Sequence, residues 1–231
     1  MVNNEVDEIH QDVLICVEHS LELLISYANK GWFSNHLIEA VRLNGWDKNL
    51  DDDTNFINLL SDNWDDLWFE ALIFCEPKRK DQLLEVKTCF DKKLYFPATM
   101  SLAVLCDSIY WDKYSSANAY KKEGLIVFER FSAQFTLSLE KSCSLNFIKD
   151  LKGGNLVFKQ YLHEVYSALS KTLCKHDINS NNQQGVNVPN RHAIIHGYYS
   201  DEFDETKAFK WLSIFLFFTF AMNIDKWLTE V

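Results

Sequence analysis

The chain has 231 residues, 47% of them hydrophobic, which is enough for a buried core and excludes global disorder. With only 7 Gly and 3 Pro it encodes few turns, so long helices fit better than a many-stranded β fold. A net charge of −10 argues against a surface that attracts polyanions as a whole.

Val6, Ile9, Val13, Val17, Leu21, Leu24 and Ala28 recur in steps of three and four. They predict an amphipathic helix over 5–29, ended by Gly31. The acidic, polar start "MVNNEVDEIHQD" does not read as a signal peptide. "FSNHLIEAVRL" predicts a shorter helix, stopped by Asn44-Gly45. "DKNLDDDTN" reads as a loop with a solvated acidic run; as a cation site it lacks the glycine and glutamate of a calcium loop. One aromatic-rich helix is predicted over 55–75, broken by Pro77, and another in "KRKDQLLEVKTCF".

"YFPATMSLAVLCDSIYWDKY" predicts a central helix, with Pro97 in its first turn and 98–106 apolar almost all round. Asp107 is the charge inside it. It needs either an exposed edge or a partner such as an arginine. A long helix follows residue 115, Gly153-Gly154 marks a turn, and Asn155 can cap a helix over 156–175. A polar Asn/Gln-rich loop occupies 176–190. The last helix is predicted over 204–228; its 14 uncharged residues, 211–224, fall short of the roughly 20 that span a bilayer, so it reads as a core helix. The six cysteines form no C-x-x-C pair and read as reduced thiols of a cytoplasmic protein.

Charge is uneven. Residues 1–90 hold 18 acidic and 7 basic side chains, whereas 141–191 hold seven Lys/Arg against three acids. The basic stretch reads either as a local anion-attracting surface or as the solvated face of a helix. It leads into "VPNRHAIIHGYY". There Asn190 suits an N-cap and Gly197 the position after a helix end, so a short helix fits between them. Arg191 at its start can grip phosphate oxygens. His196 near its end can give or take a proton at neutral pH. Together they suffice for RNA cleavage in which the 2′-hydroxyl is the nucleophile and no metal or other cofactor takes part. Two further readings are open on residue types alone. His192 and His196, four apart, make half a zinc site. Or the cluster is structural, with Arg191 paired to Asp107 or to the acids at 201–205.

"NRHAIIHG" resembles the Arg-x4–6-His signature of the HEPN superfamily, matched by Arg191, by His192 as its polar neighbour, and by His196. "YFPATMSLAVLCDSIYWD" resembles, more loosely, an earlier core helix of such proteins, with Asp107 at its acidic position. The resemblance covers roughly 92–228. It implies an all-α fold, a HEPN-like bundle of four to five core helices over 91–231; residues 1–90, which it does not cover, read from their own periodicity as an additional acidic helical region. It also implies a metal-independent endoribonuclease of a phage-defence, abortive-infection or toxin–antitoxin system. Arg191 and His196 would be catalytic, and His192, Asp107 and Asn190 auxiliary. The partners implied are RNA, a second copy across a shared cleft, and a protein regulator or antitoxin, with no membrane. The alternative is a non-catalytic helical interaction or scaffold module, which the net charge favours.

Overall fold

The computed structural model describes residues 22–23, 25–33, 47, 49–114, 164, 168, 189, 194 and 203–230. Most of those residues are helical, with no strand among them, as the sequence predicts. The helices predicted over 33–43, after 115 and over 156–175, and the loop 176–190, fall largely outside the described residues.

The first described helical residues, 22–23 and 25–29, end at a turn where Gly31 takes φ +88°, the left-handed region that glycine enters freely. The acidic run that follows is not only loop. Asp51 caps helix α1, Asp52–Asp62, by accepting the Thr54 N–H at 2.8 Å. Asp52 and Asp53 lie in its first turn, where negative charge meets the positive end of the helix dipole. The helix predicted over 55–75 is in fact two. Asn63, at φ −107° and ψ 24°, breaks it, and α2 runs Trp64–Phe74. Pro77 opens a 3₁₀ turn, Pro77–Arg79, which leads into α3, Lys80–Asp91. Helix α4 runs Tyr95–Tyr114, with Pro97 in its first turn where no helical N–H is needed. Helix α5 runs Glu205–Glu230, and Asp204 accepts the Lys207 N–H at 2.7 Å at its start.

Helices α4 and α5 begin at the same end of the core: the Tyr95 hydroxyl donates to Glu205, and Phe96 packs on Phe203 at 4.4 Å between ring centres. At the far end of α4, Asp112 takes both Lys78 at 2.6 Å and Arg79 at 3.0 Å, clamping the start of α3. Trp64 on α2 donates to Asp91 at the end of α3 and stacks edge-on with Trp68 and Phe90. Every residue of α5 from 207 to 219 is buried, so this stretch of the helix is enclosed on all sides. The apolar run of α4 led to the same expectation, but Val104 is 52% exposed. Side chains from both sides of position 90 share one core, from Tyr27, Trp32 and Phe56 through Leu83, Phe90 and Leu102 to Phe215 and Phe218. No helix among the described residues is long and apolar enough to cross a membrane.

Candidate functional site

Asn190, Arg191, His192 and His196 lie outside the described residues, but two neighbours within the same segment are described. Ile194 is helical, 1% exposed and part of the core. Pro189 is buried. Asp107 sits half-buried on α4, one residue after the fully buried Cys106.

Pro189 is held at a close approach of backbone. A Cβ added to Gly31 would stand 2.5 Å from Pro189 Cδ and 3.5 Å from Lys210 Cδ. Real Cβ atoms do not approach that closely, and φ +88° strains an L side chain in any case. Gly31 is therefore where the N-terminal segment, the entry to 190–197 and α5 meet.

Charge at this meeting point is organised by Lys210. Its side chain is 2% exposed, and Nζ lies 3.1 Å from Asp53 Oδ1 at the start of α1. Trp32 Nε1 donates to the same oxygen at 2.7 Å, and the ammonium also lies 5.5 Å from the Trp32 ring centre. Trp32 stacks flat on Phe56, with ring centres 4.5 Å apart. Ser213 closes the arrangement by accepting the Phe33 N–H at 3.0 Å and donating to the Lys210 carbonyl at 2.7 Å. Burial pushes the Lys210 ammonium below the ordinary lysine range, against the opposing pull of Asp53. A charge this enclosed is held, not offered to a ligand, and the group acts as a fastening.

Sequence reasoning passed over Lys210, Asp53 and Trp32. The available signal was a lysine inside the first turns of the most apolar helix, which must find an anion when buried. Its partner lies 157 residues away in a run that reads as solvated surface. Among the described residues no group of three His, Cys, Asp or Glu side chains could hold a metal ion. No family model, curated protein or solved structure matches the chain.

Proposed function

We propose that the chain is a HEPN-type, metal-independent endoribonuclease whose working groups are Arg191 and His196. The observation that supports this reading most is the buried, helical Ile194 within the motif segment. In a helix between Asn190 and Gly197 that turns Ile194 inward, His192 and His196 fall two positions to either side and so on the opposite face. Such a segment, anchored through Ile194, can present His196 at the core's surface, with Arg191, three positions before Ile194, on the flank of the helix.

On this reading Arg191 holds the scissile phosphate and stabilises its transition-state charge. His196 serves as general acid or base, and the substrate's 2′-hydroxyl attacks the phosphorus. His192 orients the substrate, Asn190 caps the helix, and Asp107 backs the arginine from α4. Two copies face one cleft, so the active form is a homodimer in a phage-defence or toxin–antitoxin setting, controlled by a protein partner. Light scattering tests the assembly: a concentration-independent monomer mass contradicts it.

A second reading, a non-catalytic interaction module, draws support from the net charge of −10 and from Phe69 and Ile73, exposed one turn apart on α2. The experiment that decides is RNA cleavage by the purified wild type and by Arg191→Ala and His196→Ala. Loss of turnover in both variants, each folded, supports the enzyme. A folded dimer inert on RNA supports the module.

A further inference from the structure

Among the described residues, Gly31 meets Pro189, the residue just before the motif segment. The space at Gly31 admits Pro189 only because there is no Cβ, since an added one would meet Pro189 Cδ at 2.5 Å. The backbone there is fixed from both directions. Behind it, the Lys30 N–H donates to the Tyr27 carbonyl at 2.8 Å and the Gly31 N–H to the Ala28 carbonyl at 3.0 Å. Ahead of it, Trp32 is bonded to Asp53 and stacked on Phe56, and Phe33 is bonded to Ser213 on α5. Lys210 passes along the same wall, with Cδ 3.5 Å from the added Cβ position and Nζ on Asp53. Pro189 immediately precedes the motif, and Ile194 anchors its middle in the core. The two described points of this segment are thus both seated, one of them on Gly31.

We infer that Gly31, held in place by the Trp32–Asp53–Lys210 cluster, is the positioning residue for the segment that carries Arg191 and His196. The N-terminal region is then a working part of the site: it sets where the chain enters the motif. The consequence for turnover rests on the ribonuclease reading; the consequence for the order of 190–197 does not. A displacement of about 1 Å at a reacting group lowers a rate by about a hundredfold, so a contact outside the chemistry can govern it.

The experiment is a double-mutant cycle in the full chain with Gly31→Ala and Pro189→Ala. Backbone strain from alanine at a positive φ is present with either residue at 189 and cancels in the cycle, which leaves the Gly31–Pro189 contact itself. Amide hydrogen exchange is read by mass spectrometry on peptides covering 190–197 and, as control, 80–91, with RNA turnover measured in parallel. In Gly31→Ala, exchange of 190–197 should rise about tenfold or more while 80–91 keeps its protection. Adding Pro189→Ala should bring much of that protection back, because it removes the atom that the new Cβ meets. Turnover should follow the exchange, falling chiefly in kcat and recovering in the double variant. Unchanged exchange of 190–197 in Gly31→Ala, or effects of the two substitutions that simply add, overturns the inference. If Gly31→Ala fails to fold, Asp53→Asn decides. It loosens the same cluster with glycine retained, and unchanged exchange at 190–197 there overturns the inference equally. A wild type that cleaves no RNA yet shows the exchange pattern leaves the inference standing and removes the ribonuclease reading. A wild type that cleaves, with Gly31→Ala unchanged in both exchange and kcat, does the reverse.

Discussion

Lys210 Nζ lies 3.1 Å from Asp53 Oδ1, and the two ends of this pair are unequally placed: the lysine side chain is 2% exposed and the carboxylate 37%. Removing the carboxylate leaves an enclosed ammonium and also strips the Trp32 indole N–H of its acceptor. Removing the ammonium leaves a carboxylate that water can reach. Asp53→Ala is therefore expected to lower stability by about 3 kcal/mol, and Lys210→Met by about 1 kcal/mol or less. Urea unfolding midpoints measure both. A larger loss for Lys210→Met contradicts the assignment of the buried charge.

Asp112 contributes to the acid limb of stability. Burial alone would raise its carboxyl, but hydrogen bonds from Arg79 and Lys78 outweigh that and hold it below the usual carboxylate range. A carboxyl depressed in the folded state gives stability that is present above its unfolded value, near 4, and is lost as pH falls through the folded value. Asp112→Asn is expected to be less stable than wild type by about 1–2 kcal/mol at pH 7. The difference should shrink below about pH 4. Thermal melts across pH 2–7 read it, and a gap that stays constant to pH 2 contradicts it.

Tyr95 sets part of the basic limb. Burial first, and then its hydrogen bond to Glu205, push the phenol up to about 12. A phenol raised in the folded state gives stability that is complete below its unfolded value, near 10, and is lost as pH rises through the folded one. The advantage of wild type over Tyr95→Phe should therefore hold at pH 8–9 and fade between about pH 10 and about 12. An advantage undiminished at the upper end contradicts the role given to this hydroxyl.

Deleting residues 1–90 removes Trp32, Phe56, Trp68, Leu83 and Phe90 from a core that α4 and α5 also line. Each large apolar side chain lost from such a core costs about 3–5 kcal/mol, more in sum than a domain's whole stability. The remainder, 91–231, is expected not to fold alone. Circular dichroism and urea unfolding check this, and a cooperative transition in 91–231 contradicts it.

Much of the fold was legible because its punctuation is local. Gly31, Pro77 and Pro97 act through their own backbone chemistry, and each stands where the sequence places it. The uncharged run of the last helix is buried through Thr219 wherever its side chains are described. The break at Asn63 was not legible, because asparagine is tolerated within helices and no proline or glycine marks the position. The acidic run was half legible. The Asp51–Thr54 spacing is that of a cap, but "DDD" in a polar stretch reads equally as loop. Of the candidate site, the sequence supplies the motif, and the structure supplies the seats of Pro189 and Ile194. The Lys210–Asp53 pair could not be read from the chain, since charge pairing across 157 residues leaves no periodic trace.

The most direct measurement is cleavage of single-stranded RNA by the purified full chain in EDTA, with analysis of the product ends. The ribonuclease account expects 2′,3′-cyclic phosphate ends and survival of DNA of the same sequence. It expects Arg191→Ala to lose binding and turnover together. It expects His196→Ala to retain binding while turnover drops by about 10²–10⁴. Cleavage that stops in EDTA, cleavage that consumes DNA equally, or turnover undiminished in His196→Ala contradicts it.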